Sequence, residues 1–261
     1  MKNLFRKTSL FMLLALTVIL VACGGDEGEK GSSSTLSNIE ESKVFKVGTD
    51  ATFKPFEFKT GGEFQGFDID LVNAIAKELG AESVEFVDTE FKGLIPGLQA
   101  KKFDMIASAM YITDERKETI DFSDTYFPGG LAIMVAEDNN DIKSLDDLAG
   151  KEVSVQIGTK SVGFLEENQP EAHLVKVEKN TEMFLELESG KVAAVVTGLP
   201  AAKSYIKENG KMKVLDETLT EEYYGFGFRK DDAELRDAVN EAIKTLKENG
   251  TYDEISKKWF E

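Results

Sequence analysis

The stretch GFDIDLVNAIAKELG, residues 66–80, decides the fold class of this 261-residue chain. Its apolar side chains recur at the spacing of one helix face, at Ile69, Val72, Ile75, Ala76 and Leu79. Gly80 follows the last of them, and glycine in that position commonly ends a helix. We therefore predict a helix over residues 68–79 with one buried face.

Short apolar runs typical of strands lie on both sides of this helix, at residues 44–49 and 83–87. A strand, a helix and a second strand at this spacing are typical of a parallel crossover. The alternation continues in two series, with strands predicted at 103–107, 131–135, 152–156, 174–177, 193–196 and 212–215, and helices at 91–100, 160–168, 181–189, 200–209, 232–249 and 252–260. Two series predict two α/β lobes, each with an open parallel sheet.

Open sheets of this kind bind ligands at the carboxyl ends of their strands. The positions of interest are therefore those at or just after predicted strand ends: Asp50, Ser108, Gln156 and Thr197. These polar side chains come from both series, so we expect a ligand site between the two lobes.

The amino terminus is typical of an export signal. Basic residues open the chain, and an apolar run over residues 10–21 follows that is short for a membrane span. The chain's only cysteine, Cys23, follows Leu20-Val21-Ala22, which resembles a lipobox. The resemblance implies a signal peptide over residues 1–22 and a lipid on Cys23; an uncleaved helix with a buried cysteine is the alternative. Residues 24–42, rich in Gly, Ser and Glu, are predicted to be a flexible linker.

Composition excludes several function classes. The formal charge of −17 disfavours binding to nucleic acid and to anionic lipid headgroups. One histidine, His173, and one cysteine exclude a Cys/His zinc site and a Ser/Cys–His nucleophile. The chain has no P-loop, which argues against ATP hydrolysis. We predict a monomer without a cofactor, a metal or an enzymatic activity.

Several blocks together resemble one family. They are GTDATFKPFEF (48–58), GFDIDL (66–71), ITDERKETIDFSDTYF (112–127), YYGFGF (223–228) and LKENGTYDEISKKWF (246–260). In this order they resemble the polar amino-acid-binding proteins of ABC importers, the glutamine-binding ones most. The likeness runs from about residue 46 to residue 260.

The resemblance implies a periplasmic-binding-protein-like fold of type II, with two open sheets flanked by helices and joined by a two-strand hinge. Lobe one would comprise residues 43–126 and 226–261, lobe two residues 130–222, with hinge strands at 127–129 and 223–225. Glycines at 129, 130 and 225 suit a hinge, although they also suit ordinary turns. The implied partners are two permease subunits and an ATPase. The implied location is the outer face of the cytoplasmic membrane, with the lipid on Cys23 holding the protein there.

The resemblance also assigns ligand-binding residues. Arg116 would grip the ligand's α-carboxylate with its planar guanidinium. Backbone N–H groups at a predicted helix start would bind the same group. Two aromatic rings would sandwich the aliphatic stem, with Phe86 as an alternative to the second. The residues assigned to the helix start and the sandwich are Thr159, Lys160 and Ser161, and Phe53 and Phe91.

Asp50 and Gln156 match positions that read the ligand side chain. Glutamine-specific relatives tend to have lysine at the second position, so Gln156 leaves arginine or a broader set of ligands open. Ser108, Ala109 and Tyr111 lie where relatives carry Ala/Ser-Gly-x-Thr, and Tyr111 departs from that pattern. Its hydroxyl either reaches the pocket or turns away from it.

Gly198 is the largest departure, because relatives have an aspartate there that pairs with the ligand's α-ammonium. Three explanations stay open. Another acid such as Asp50 takes over, water and Thr197 solvate the ammonium, or the ligand has no α-amino group.

The leading interpretation is a lipid-anchored binding protein for glutamine, with arginine or a broader set of amino acids as the nearest alternative. A cyclohexadienyl dehydratase-like enzyme is the second hypothesis. It requires a placed general acid, and nothing in the sequence marks the pKa of Asp50 as raised. A sensing or adhesive lipoprotein with the same fold is the third hypothesis.

Overall fold

A computed structural model describes residues 34–261, and Ser34–Glu261 forms one compact unit. The predictions of a signal peptide, of a lipid on Cys23 and of a linker over residues 24–33 fall outside the described residues. Within the described part, every helix is too short or too polar to span a bilayer.

The strands, in chain order, are β1 (Val44–Thr49), β2 (Thr52–Phe53), β3 (Glu57–Thr60), β4 (Glu63–Gln65), β5 (Ser83–Asp88), β6 (Met105–Ile106), β7 (Asp121–Phe122), β8 (Phe127–Pro128), β9 (Leu131–Ala136), β10 (Glu152–Gln156), β11 (His173–Val177), β12 (Ala194–Gly198), β13 (Met212–Thr218), β14 (Tyr223–Tyr224) and β15 (Gly227–Phe228). The helices are α1 (Thr35–Ser42), α2 (Phe67–Glu78), α3 (Leu94–Gln99), α4 (Asp114–Thr119), α5 (Lys160–Asn168), α6 (Asn180–Glu188), α7 (Leu199–Asn209), α8 (Ala233–Glu248) and α9 (Thr251–Phe260).

Over residues 34–261 these strands form two five-stranded sheets. The first sheet has the order β5-β1-β6-β15-β7, and the second has the order β11-β10-β12-β9-β13. β1 is parallel to β5 and β6, and β10 is parallel to β11 and β12. The prediction of wholly parallel sheets is wrong, because β15 and β9 each run antiparallel to both of their neighbours. The chain crosses from one sheet to the other immediately before each of these two strands. Each strand therefore begins at the carboxyl ends of the parallel strands and runs in the opposite direction to them.

The two segments in which the chain crosses between the sheets, called passages below, contain β8 and β14. They lie side by side, with β8 paired antiparallel to β14. The glycines next to them are explained by close packing. A Cβ on Gly129 would lie 2.6 Å from the Tyr111 ring, and one on Gly225 would lie 2.7 Å from Ile112 Cδ1. Gly130 has φ +137°, and its Cβ would lie 2.6 Å from the carbonyl oxygen of Thr220. The limits predicted for the lobes and the hinge movement stay predictions.

The helix predicted over residues 68–79 is confirmed as α2, with a difference of one residue at each end. Its apolar face packs into the core of the first sheet, with Leu71, Val72 and Ile75 fully buried. The predicted helix over residues 91–100 divides into a 3-10 turn, Phe91–Gly93, and α3. The strand predicted at 103–107 shrinks to the two residues of β6.

The prediction of a flexible linker through residue 42 is wrong for its last eight residues, which form α1. Ser34 caps this helix by accepting a hydrogen bond from the Ser37 N–H, and Ile39 is 2% exposed. Thr35 Oγ1 also donates to Asp232 Oδ1 over 2.5 Å. One buried apolar side chain and a cap therefore outweigh a composition that is otherwise typical of a tether.

A small three-stranded sheet, β2-β3-β4, was not predicted. It lies between β1 and α2 in the chain and carries Phe53 and Glu57, which both reach the space between the two large sheets. Each of its strands has only two to four residues, too few for a periodic signal.

Candidate functional site

A cavity of about 450 Å³, which includes solvent at its mouth, lies between the two sheets at the carboxyl ends of β1, β6, β10 and β12. Every residue predicted for the site lines it: Asp50, Phe53, Phe91, Ser108, Ala109, Tyr111, Arg116, Gln156, Thr159, Lys160, Ser161 and Thr197. Gly198, discussed above as a departure from the family pattern, lines it as well, and so do five residues that the sequence analysis did not assign to the site: Glu57, Leu131, Asn180, Met183 and Val196. The structure brings the predicted residues together; their ligand-binding roles stay predictions.

Arg116 carries an unneutralised positive charge at one end of the cavity. Thr113 caps α4 by accepting from the Arg116 N–H. The guanidinium donates to the carbonyl oxygens of Tyr111, at 2.7 Å, and Gly158, at 3.1 Å, and lies 5.4 Å from the centre of the Phe91 ring. Burial lowers the pKa of Arg116 to about 10, which leaves it charged at neutral pH. No carboxylate among the described side chains lies within 4.0 Å of it, although the charges of Glu115 and Glu222 raise its pKa from further away.

The start of α5 lies beside this guanidinium. Thr159 is the N-cap residue, and its hydroxyl donates to the carbonyl oxygen of Gln156 at 2.8 Å. Ser161 is 3% exposed. Lys160 pairs with Glu222 at 2.9 Å, so its side-chain charge is already neutralised. The helix start therefore contributes the partial positive charge of its N–H groups to the same end of the cavity.

Asp50 carries an unneutralised negative charge on another wall of the cavity. It is 4% exposed. Its Oδ2 accepts from Gln156 Nε2 at 2.6 Å and from the Phe91 N–H at 3.2 Å, and its Oδ1 accepts from Thr52 Oγ1 at 2.9 Å. Burial raises the pKa of Asp50 to about 6, although these hydrogen bonds lower it. All these donors are neutral, and no Lys, Arg or His of the described chain lies within 4.0 Å.

Gln156 links the two sheets and orients its amide. Besides Asp50, its Nε2 donates to the carbonyl oxygen of Glu178 at 2.9 Å. Both N–H bonds of the amide are then used, so Gln156 can offer a ligand only its carbonyl oxygen. The carbonyl oxygen of Gln156 and the carboxylate of Asp50 therefore give this end of the cavity hydrogen-bond acceptors.

Of the two alternatives for the second aromatic ring, only Phe91 lines the cavity. Phe86 packs instead against Phe64, with ring centres 5.4 Å apart. Phe53 lies on another wall and stacks on Phe56 at 5.7 Å. The cavity thus combines two charged ends with apolar rings, an arrangement suited to a small zwitterion with an aliphatic stem.

The model for bacterial extracellular solute-binding proteins, family 3, matches residues 45–261. The chain belongs to this family. The resemblance in the sequence and the two-lobed α/β fold that it implied are confirmed.

Family 3 relatives with known names are similar over nearly the whole chain. The glutamine-binding protein GlnH of Bacillus subtilis is 35% identical over 271 residues, covering 100% of this chain and 98% of the relative. An ancestral arginine-binding protein bound to glutamine is 46% identical with a TM-score of 0.80, over 84% of this chain and 98% of the other. An ancestral amino-acid-binding protein described as a precursor of cyclohexadienyl dehydratase is 45% identical with a TM-score of 0.82, over 88% and 100%.

Tyr111 and Gly198, the two positions at which the sequence analysis expects departures from the family pattern, meet in one place. The Tyr111 hydroxyl donates to the carbonyl oxygen of Gly130 at 3.0 Å and accepts from the Gly130 N–H and the Tyr224 hydroxyl. A Cβ on Gly198 would lie 2.7 Å from the Tyr224 hydroxyl, 3.1 Å from Phe53 Cζ and 3.2 Å from the Tyr111 hydroxyl. The tyrosines thus fill the space into which a side chain at position 198 would extend.

Thr197, the neutral alternative to an acid at that end, accepts from Asn180 Nδ2 at 3.3 Å. Among the acids, Asp50 and Glu57 line the cavity. Glu57 was missed because β3 was not predicted and because PFEF by itself indicates only an aromatic strand.

Proposed function

We propose that this family 3 protein captures one α-amino acid outside the cytoplasm by closing its two lobes and delivers it to an ABC importer. A single observation carries the proposal: Arg116 and Asp50 line one cavity with opposite charges, and neither has an ion-pair partner in the described chain. An amino acid with a donor-bearing side chain supplies both partners. Its α-carboxylate binds Arg116 and the start of α5, and its side chain binds Asp50.

Side-chain chemistry favours arginine over glutamine, which the sequence analysis placed first. A guanidinium offers only donors and a positive charge, which fit the acceptors of Asp50 and Gln156. A glutamine amide also needs a donor for its oxygen, and Gln156 has both of its N–H bonds engaged. The relative GlnH and the ancestral protein bound to glutamine keep glutamine as the second candidate.

The lobes already touch across the cavity. Hydrogen bonds link elements on its two sides, among them those from Gln156 to Asp50, from Arg116 to Gly158 and from the Asn180 N–H to Thr52 Oγ1. A ligand whose carboxylate binds Arg116 and whose side chain donates to Asp50 beside Gln156 adds bonds to both sides of the cavity, stabilises the closed arrangement and shifts the population toward it. Attachment through a lipid on Cys23, transfer to two permease subunits with their ATPase and a monomeric state are parts of the same proposal.

A thermal-shift panel on residues 24–261 tests the ligand. Arginine should raise the melting temperature most, glutamine less, and citrulline, which is similar in shape to arginine but neutral, should lie well below arginine. At one hundred times the dissociation constant a ligand adds about 2.7 kcal/mol, or several degrees. A response only to the deaminated keto acids would refute binding of an α-amino acid.

Arginine affinity should fall as the pH drops through about 6, because protonation of Asp50 removes its charge.

The close contacts around Gly198 predict what happens when an aspartate, the residue expected at this position in the family, is introduced there. Gly198→Asp should weaken amino-acid binding, by about 1–3 kcal/mol or roughly five- to 150-fold, because the new side chain overlaps the tyrosine hydroxyls. Adding Tyr224→Phe should recover part of the loss, since it removes the atom at 2.7 Å. Gly163→Ala is the control, because its Cβ would meet nothing within 4 Å. Tighter calorimetric binding by Gly198→Asp alone would show that the space is free.

A dehydratase is the second candidate. The structure favours it in one respect: burial raises the pKa values of Asp50 and Glu57, two cavity acids that could donate a proton. The likeness to a precursor of cyclohexadienyl dehydratase concerns an amino-acid-binding ancestor. We expect no turnover of prephenate or arogenate; turnover that disappears in Asp50→Asn or Glu57→Gln would establish the enzyme.

A further inference from the structure

Two buried carboxyl groups lie together at the cavity wall: Glu57, which lines the cavity, and Asp68, which does not. Glu57 lies at the start of β3 and Asp68 in the first turn of α2. Their elements are held together by hydrogen bonds from the Phe67 N–H to the carbonyl oxygen of Pro55 and from the Asp68 N–H to that of Phe56, both 2.9 Å long. The side chains are 1% and 0% exposed.

Each carboxyl keeps one buried oxygen without a hydrogen-bond partner, Glu57 Oε2 and Asp68 Oδ1. The two groups are near neighbours, because the charge of Asp68 and a side-chain contact with it both raise the pKa of Glu57. Two carboxylates have no hydrogen to donate to each other, so a proton on one of them is what would join the two unpartnered oxygens. Among residues 34–261 no cation lies within 4.0 Å to offset a second negative charge.

The outer oxygens of the pair hold the cavity wall. Glu57 Oε1 accepts from Ser108 Oγ at 3.0 Å, and Asp68 Oδ2 accepts from the Ala109 N–H at 3.0 Å. Ala109 has φ +41°, a left-handed conformation that needs external support. Asp68 Oδ2 also accepts from the Tyr126 hydroxyl at 2.8 Å, and Tyr126 directly precedes β8, one of the two passages between the lobes.

We propose that Glu57 and Asp68 share a single proton and act as one unit that positions the Ser108–Ala109 turn for ligand binding, so that loss of this proton weakens binding. The inference rests on the proposed function, because it assigns a positioning role within the same site. Neither carboxyl needs to touch the ligand, since the pair acts through Ser108 and Ala109, which both line the cavity.

The groups around Glu57 and Asp68 determine in which direction pH changes the stability of the folded chain. Burial, and then the charge of Asp68, raises the pKa of Glu57 well above its usual range; burial raises that of Asp68 to about 6. Asp50 adds negative charge, while Tyr126, Tyr224 and Tyr252 have raised pKa values and stay neutral near pH 7. The folded chain thus binds more protons than the unfolded chain. Its stability falls as the pH rises from the ordinary carboxyl range to the raised values.

Three variants test the proposal by calorimetry at several pH values. Glu57→Ala should weaken amino-acid binding about tenfold or more, because it removes the acceptor of the Ser108 hydroxyl and the carboxyl beside Asp68. Glu57→Gln should recover most of that loss, since its amide can donate to Asp68 and accept from Ser108 as a protonated Glu57 does. It should also reduce the weakening of binding that the proposal predicts for the wild type at alkaline pH. Glu63→Gln, on the neighbouring strand and exposed, is the control.

The proposal is overturned if Glu57→Gln binds as poorly as Glu57→Ala, or if it keeps the full alkaline weakening of the wild type. The free energy of unfolding without ligand separates this result from a failure of the proposed function. Between pH 5 and 9 it should depend less on pH in Glu57→Gln than in the wild type. If no amino acid binds but this difference is present, the shared proton stands and the ligand assignment falls; equal pH dependence overturns the shared proton itself.

Discussion

Arg116→Ala should remove most amino-acid binding and leave the fold intact. The guanidinium has no carboxylate partner in the described chain, and its hydrogen bonds go to two backbone carbonyls. Truncating one side of a buried, hydrogen-bonded charge pair costs about 2–5 kcal/mol, or roughly thirtyfold to several thousandfold in affinity. Isothermal calorimetry with arginine and glutamine measures the loss, and thermal melting without ligand checks the fold.

Two controls separate geometry from charge. Arg116→Lys keeps the charge but not the planar fork, so it should recover only a minor part of the affinity. Lys117→Ala removes a basic side chain from the same short helix, where it is exposed and pairs only with Asp114, and should bind like the wild type. Near-normal binding by Arg116→Ala would show that the carboxylate lies elsewhere.

Gly66→Ala should cause the largest loss of stability. Gly66 directly precedes α2 as its N-cap residue, with φ +134°, and a Cβ there would lie 2.0 Å from the carbonyl oxygen of Phe56. The chain would have to separate β3 from α2 and break the hydrogen bond from the Asp68 N–H to Phe56. We expect a loss of about 3 kcal/mol or more in the free energy of unfolding in urea, because backbone strain and overlap add.

Gly62→Ala is the matched control. Gly62 also has a positive φ, +91°, but a Cβ there would meet nothing within 4 Å. It should lose only the cost of the unfavourable backbone conformation, about 1–2 kcal/mol. Equal losses in the two variants would mean that the close approach to Phe56 has no energetic effect.

The sequence predicted best those elements whose periodicity is long and whose ends are marked. β10 and α5 have the bounds expected, residues 152–156 and 160–168, and α2 differs by one residue at each end. The twelve site residues were expected together because the resemblance to the family assigns them to one ligand, and four of them also lie at or just after predicted strand ends. The structure brings all of them to one cavity.

Features that depend on contacts between distant residues could not be predicted. Nothing local shows that β9 and β15 enter their sheets in reverse, or that Ile39 is buried. Tyr111 and Gly198 were recognised as separate departures, yet only the fold shows that the tyrosine hydroxyls occupy the space beside the glycine. Glu57 was overlooked because its role depends on Asp68, eleven positions along the chain.

The central claim is that Arg116 binds the carboxylate of an amino acid whose side chain reaches Asp50. One calorimetric titration of residues 24–261 tests it most directly, with arginine compared against agmatine, which is arginine without its carboxylate. The account predicts saturable one-to-one binding of arginine and a loss of at least about 2 kcal/mol for agmatine. Equal binding of the two compounds would contradict the carboxylate site, and the absence of heat with arginine, glutamine and every other amino acid would contradict the proposed function.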